Sequence, residues 1–474
     1  METLMDLEEI ARRLYREGRN EGGSEVSGEG RRKVSNEGRR VAIIEGEKES
    51  ITKREIIAEL ITLGLSEDFA RALYIEIENS EMLHGMEREL KKLINWQPSG
   101  LEAGKTGMGS RGKGDFIIHH AIAKVAYSKY AEVGPVNQDD GGVVKLENGK
   151  YLVTAVDGLH SRLGHFPFLA GFHVARACLR DVLVMGALPV ALFSDVHLGN
   201  NGDPAMILDY TAGISTVGEL TGVPLVAGST LRIAGDLVTG DRLSGAAGAV
   251  GIAEKLTPRR DVQPGDVLIM TNGSGGGTIA ATAIFHGHGE MVKETLNLDF
   301  FRFTRDFLES DALQDVHTLT DVTNGGIRGD ALEIATSTGH DIILNREKIL
   351  ELVNPRIRTM LKSHHIDPLG VSIDSLLIIC PPFASIEILA YMRKKGMKGN
   401  IIGTVESGEG KVFLKTPEGI KEMMACFREA PYTPVKEVAD MDKLEPEFVR
   451  EKIGEATNRA LAKRKWLVEH LQKK

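Results

Sequence analysis

The chain has 474 residues, 42% hydrophobic and 26% charged, which makes two or three globular domains the expectation. A net charge of −9 gives no support to general nucleic-acid binding, 53 glycines without a period exclude collagen, and Cys178, Cys380 and Cys426 lie too far apart for a disulfide framework or a structural zinc site. The N-terminus is charged from the start and no run of about 18 apolar residues occurs, so no signal peptide or membrane span is expected, and the cytoplasm is the expected location.

In chain order, residues 4–18 read as a short amphipathic helix with Leu4, Leu7, Ile10, Ala11 and Leu14 on one stripe. Residues 20–40 hold almost no apolar side chains and read as a linker, so 1–40 is a helix plus a flexible segment. A small helical unit follows over 41–96. It has a strand at Val41–Ile44, a helix carrying Ile56, Ile57, Leu60 and Leu63, a stop at Gly64, and a second helix with Phe69, Leu73 and Ile77. This unit weakly resembles an ATP-cone; the plainer reading is a helical appendage. Residues 97–114 are Gly-rich and read as nearly structureless, and a helix is expected from about Asp115 to Tyr130. Strands at Gly142–Lys145, Tyr151–Val156, Pro189–Asp195, Pro224–Ala227 and Leu243–Ile252 then alternate with helices at about 169–186 and 205–221. Pro264-Gly265-Asp266 opens a second α/β domain with strands near 267–270, 316–321, 341–344, 373–380 and 399–405, and a polar helix ends the chain. The expected domains are 105–255 and 256–435, with a C-terminal helix over 436–474.

Several stretches carry residues suited to binding phosphate or a hard cation. The loop Gly107-Met-Gly109-Ser-Arg111-Gly112-Lys113-Gly114 precedes a helix, where backbone amides free of side-chain bulk bind phosphate. Asn137-Gln-Asp139-Asp140-Gly-Gly places two carboxylates at a turn, a good oxygen donor pair for Mg²⁺, although an ordinary Asp-Gly turn reads the same way. Asp157-Gly158 ends an apolar strand, where ligands of α/β proteins gather. Asp181 lies beside the apolar stripe Phe172, Ala175, Leu179 and Val182, either as a surface residue or as a ligand directed into a cleft. Asp321-Val-Thr-Asn324-Gly325-Gly joins an acid to a helix start, and Asn272-Gly-Ser-Gly-Gly-Gly277-Thr is a further glycine turn. His160, His165, His173 and His197 show no zinc-protease spacing and read as structural or substrate-facing.

The order of these stretches resembles the superfamily of aminoimidazole ribonucleotide synthetase, selenophosphate synthetase, thiamine monophosphate kinase and HypE, the PurM-like proteins, over about residues 105–435. It is most similar to their selenophosphate synthetase-related archaeal members. The resemblance implies an α/β (α+β) architecture of two domains, the first pairing with its twin in a dimeric β-barrel core and the second an α/β domain packed against it, with the helical N-terminal extension added. It further implies ATP in the cleft between them and Mg²⁺ held by Asp139 or Asp140, Asp157 and Asp181. A mobile loop with Gly109, Arg111, Gly112 and Lys113 would fold over the phosphates, with Gly158, Asn324 and Gly325 also at the nucleotide. Lys113 and Asp321 are the implied catalytic residues, Asp321 facing the acceptor or a further metal. Phe166–Phe172 and the nearby histidines are a candidate acceptor pocket.

The implied activity is ATP- and Mg²⁺-dependent transfer to, or activation of, a small acceptor by a homodimeric transferase, kinase or ligase, without nucleic acid or membrane. The alternatives are a maturation factor similar to HypE, engaging a protein partner through residues 1–96, and a non-catalytic nucleotide sensor. Three departures from the family pattern stand out. The Gly-rich loop has no Cys. Cys178 stands where relatives often have Asn, which bears on how the acceptor is held. Ser229 stands in Val226-Ala-Gly-Ser-Thr230 where relatives carry a metal-binding acid, so fewer metal ligands are expected.

Overall fold

A computed structural model describes residues 5–20, 53–82, 86–429 and 431–473. The chain divides into two compact units. One contains Met1–Trp96 with Leu198–Asp203 and Leu231–Arg242, and the other contains the remainder from Gln97.

In the first unit, α1 (Leu7–Asn20) buries Leu7, Ala11 and Tyr15, spaced four residues apart on one face. They pack with Ile56, Ile57 and Leu60 of α2 (Lys53–Thr62) and with Ala70, Leu73, Tyr74 and Ile77 of α3 (Glu67–Met82). Arg12 reaches across to Ser80 at 3.0 Å and Glu81 at 3.2 Å. A two-residue strand, Met5–Asp6, pairs antiparallel with Val238–Thr239. The expected strand Val41–Ile44 and nearly all of the expected linker lie outside the described residues.

The second unit holds two sheets. Its chain starts with a Gly-rich loop and α4 (Lys113–Val125), shorter than expected because Ala126 is already extended. The five-stranded sheet consists of β1 (Gly142–Lys145), β2 (Tyr151–Gly158), β3 (Leu188–Leu198), β4 (Leu225–Arg232) and β5 (Leu243–Ala253), in the order β1-β2-β5-β3-β4. Within one chain this sheet is open, with β1 and β4 at its edges. Antiparallel register sets Gly142 opposite Thr154 and Val156 opposite Gly248. Because paired residues share a face, Val144, Leu152, Thr154, Val156, Val250 and Ile252 point to one side, where Val144 and Val156 are exposed. α5 (Pro167–Val184) packs against the sheet and against α6 (Ala205–Thr221). It is buried on nearly all sides, and this explains its long apolar run.

The seven-stranded sheet contains β6 (Val267–Thr271), β7 (Thr318–Val322), β8 (His340–Asn345), β9 (Ser375–Cys380), β10 (Gly399–Ser407), β11 (Val412–Thr416) and β12 (Gly419–Glu422), in the order β12-β11-β8-β10-β6-β9-β7. β6, β7 and β9 are buried along their whole length, β6 and β9 through near-continuous apolar runs and β7 with Thr318, Thr320 and Asp321 buried beside Leu319 and Val322. Helices α7 (Gly277–Phe285) and α8 (Gly326–Thr338) follow β6 and β7 through glycine turns. The expected C-terminal helix is two helices, α9 (Pro434–Met441) and α10 (Pro446–Gln472). Among the described residues no helix is long and apolar enough to cross a membrane.

Candidate active site

The Gly-rich loop is fixed by specific bonds. Asp115, buried in the first turn of α4, accepts the Gly109 N–H at 2.8 Å and the Arg111 N–H at 2.9 Å. The Arg111 guanidinium turns inward onto both oxygens of Glu333 on α8, at 2.7 and 2.6 Å. Where phosphate binding was expected, the opening amides of α4 are already used: Lys113 N–H donates to the Cys426 carbonyl at 2.9 Å and Gly114 N–H to that of Phe427 at 3.4 Å. Gly112 and Gly114 are required here, because a Cβ would strike the Phe427 carbonyl at the first and the Thr106 carbonyl at the second.

The loop borders a cavity of about 750 Å³. Asp139, Asp140, Asp157 and Asp181, from three separate stretches of sequence, all line it, as do Gly109, Arg111, Gly158 and Asn324. Gly112, Lys113, Gly325 and Asp321 do not. The Lys113 side chain is exposed, and Gly325 packs against the Arg111 side chain. Asp321, 1% exposed, is bound by the guanidinium of Arg180 instead of facing a ligand. Of the aromatic rings in Phe166–Phe172, Phe166 packs edge-on to Phe285, Phe172 is buried and Phe168 is exposed, and none of the three is in the cavity lining. From the nearby histidines, His160 and His173 line the cavity. Cys178 is fully buried, its thiol donating to the Ala175 carbonyl, so it does not touch a ligand. Ser229 is exposed on edge strand β4 and is no part of this cavity wall.

Three arginines that the sequence analysis did not mark as site residues, Arg176, Arg180 and Arg259, pair with the buried acids. Arg259 bonds Asp140 at 2.6 Å and Glu333 at 2.7 Å. Arg180 bridges Asp321 and Asp374, and Arg176 also binds Asp374. Burial opposes ionisation of Glu333 and Asp374, but their arginines outweigh it and pull both below the usual carboxylate range. One signal was available in the sequence: Arg176 and Arg180 stand four apart in a mostly apolar helix, and a buried arginine demands a partner.

Apart from Asp140, which Arg259 holds, the remaining cavity acids lack such an ion pair among the described residues. Burial raises Asp139 to about 6 against the pull of Arg259. Its Oδ1 accepts the Arg259 N–H at 2.9 Å, while its Oδ2 is buried with no partner. Burial also raises Asp140 and Asp157, and it raises Asp181 well above the usual range, with Asp157 and Asp321 adding repulsion. Excess negative charge of this kind is relieved by a cation. Carboxylate oxygens suit Mg²⁺. Among the described residues no three His, Cys, Asp or Glu side chains converge as a ready-made cage.

A consequence for stability follows. A carboxyl raised in the folded chain favours folding most below its unfolded value near 4, and the penalty grows as pH rises to about 6. With metal removed by chelator, Asp139→Asn is therefore expected to melt above the wild type at pH 7, by no more than about 3 kcal/mol in stability, with the gap closing towards pH 4. An equal gap at both pH values in thermal melts would contradict the assignment.

Residues 138–253 match the family model described as AIR synthase related protein, N-terminal domain, and residues 263–415 match its C-terminal domain. An uncharacterized protein of Methanocaldococcus jannaschii is 44% identical over 425 residues, covering 88% of this chain and 92% of the relative. The thiamine-monophosphate kinase of Pyrococcus horikoshii is 26% identical over 295 residues, 60% of this chain and 87% of that one. Among solved structures, E. coli HypE, a hydrogenase maturation protein, superposes with a TM-score of 0.51 at 19% identity, covering 67% of this chain and 98% of that one. At that identity the likeness shows the fold alone.

Proposed function

The chain belongs to the AIR synthase related family, the PurM-like proteins, and from that membership and its acid-lined cavity we propose that it is an enzyme transferring a phosphoryl group from ATP to a small acceptor, with Mg²⁺. The observation that carries the reading is the group of uncompensated carboxylates, Asp139, Asp157 and Asp181 beside Asp140, in a cavity large enough for a nucleotide. The similarity to a kinase supports it. Bound there, Mg²⁺ would neutralise phosphate charge and orient the γ-phosphoryl group.

The chain's own residues then have distinct tasks. The carboxylates hold the cation. Gly109 and Asn324, joined by a 3.3 Å hydrogen bond, close one wall over it. Arg111, locked onto Glu333, keeps the loop in place. His160 is pushed down to about 3 by burial, with Lys436 and Arg162 adding to the effect, so at neutral pH it is an uncharged hydrogen-bonding group and too weak a base to accept a proton efficiently. Turnover of ATP assayed with and without Mg²⁺ tests the proposal: Mg²⁺-dependent release of ADP supports it, and tight ATP binding without product over hours would replace it by the sensor reading.

The exposed β-branched face of the five-stranded sheet supports a homodimer formed through it. Sedimentation equilibrium is expected to give twice the 51.6 kDa chain mass, and a single-chain mass at micromolar concentration would contradict this.

A further inference from the structure

The matches to the family's domains end at residue 415, yet the cavity wall does not. Tyr432 and Lys436, from the segment beyond, line the same cavity as the acids. Tyr432 is 4% exposed, and its hydroxyl lies 2.7 Å from His160 Nε2. Lys436 stands in the first turn of α9, where its N–H donates to the capping hydroxyl of Thr433 at 3.4 Å, and its ammonium lies 4.7 Å from the centroid of the Tyr432 ring. The ring and the helix cap together fix its direction.

This corner is short of negative charge. Among the described residues the charges that act on Lys436 are those of Arg428 and Arg162, and no carboxylate is among them. Arg162 lies over the Phe285 ring at 4.1 Å, and its Nε is buried without a partner. Burial lowers Lys436, and Arg428 and Arg162 repel it further. His160 Nδ1 is also buried and unpartnered. The Tyr432 hydroxyl can donate to Nε2, and in that tautomer Nδ1 carries the ring proton and is left as a donor. Gly277 at the start of α7 sits beside both histidines, so that a Cβ on it would lie 3.4 Å from the His160 Cβ and 3.5 Å from the His173 Cβ. The positive end of that helix therefore faces the same place. Donors and cations gather here, while the acids cluster elsewhere along the lining. A half-buried cation without a counter-ion is costly, and an anionic ligand would relieve it.

We propose that Tyr432 and Lys436 build the acceptor's binding corner, and that the acceptor carries an anionic group, phosphate or carboxylate, bound against Lys436 Nζ and His160 Nδ1. Its role as acceptor rests on the phosphoryl-transfer reading; the anion site itself does not. Tyr432 acts as a positioning residue that holds the His160 ring through Nε2, and an anion at Nδ1 favours the tautomer protonated there. The segment after the family's domains thus selects the substrate.

Calorimetric titration of the full chain with phenyl phosphate and with benzoate tests this. At least one probe is expected to bind the wild type at millimolar concentration, and the better of the two identifies the anion. Lys436→Met is expected to weaken it about tenfold or more, the scale of a charged hydrogen bond. Lys436→Arg keeps most of the affinity, which separates loss of charge from loss of fold. Tyr432→Phe weakens it less. The proposal is overturned if neither probe binds the wild type, or if Lys436→Met binds as tightly as the wild type. Parallel titrations of the wild type with ATP and Mg²⁺ report on the nucleotide reading separately: a Lys436-dependent anion site without ATP binding would leave the site standing and remove the transfer reaction.

Discussion

Asp157→Asn and Asp181→Asn are each expected to lower Mg²⁺-dependent ATP turnover by about a hundredfold or more, since loss of even an outer-shell partner of a metal typically costs roughly 10–100-fold. The substitution keeps shape and removes one charge. Among the described residues neither carboxylate has a side-chain hydrogen bond or ion pair, and burial raises both. The folded chain without metal therefore gains nothing from their negative charge. Melting in chelator should accordingly be unchanged or higher in both variants. A variant that loses turnover while keeping its melting temperature has lost a ligand and not its fold. Full turnover in both would remove these acids from the site.

Arg180→Leu is expected to destabilise the chain by about 3–5 kcal/mol, the usual cost of breaking a buried ion pair. Arg180 lies between Asp321 and Asp374, and their side chains are 1% and 5% exposed. Its removal strands the Asp321 carboxylate wholly, whereas Asp374 retains Arg176. Adding Asp321→Asn to the Arg180→Leu chain should then recover part of the loss, and urea titration of the single and double variants measures it. If the double variant were no more stable than the single one, Asp321 would not be the charge that Arg180 compensates. The result would also bear on the reassignment of Asp321 from a ligand-facing acid to a buried counter-ion.

The strands of both sheets were readable because burial leaves a periodic or unbroken apolar pattern, as in Leu376-Leu-Ile-Ile379. The four cavity acids were readable in the same local way, each at a turn, a strand end or a helix stripe. Pairing is another matter. Arg180 and Asp321 are 141 residues apart, and Arg111 and Glu333 are 222 apart. No local pattern records which buried arginine meets which acid. Lys113 illustrates the limit: a lysine in a glycine loop before a helix suits phosphate, but its helix start is capped by carbonyls of Cys426 and Phe427, more than three hundred residues later. Tyr432 and Lys436 escaped for a related reason, being ordinary residues near a helix start until the fold brings them to His160.

The central claim is that the uncompensated acids receive Mg²⁺ and the phosphates of ATP. A crystal structure of the chain with Mg²⁺ and a non-hydrolysable ATP analogue tests it most directly. The expected result is a Mg²⁺ ion bridging the triphosphate to Asp157 or Asp181, with Asp139 or Asp140 in its coordination sphere or joined to it through water. A triphosphate bound away from all four carboxylates, or a cavity left empty at saturating nucleotide, would contradict the account.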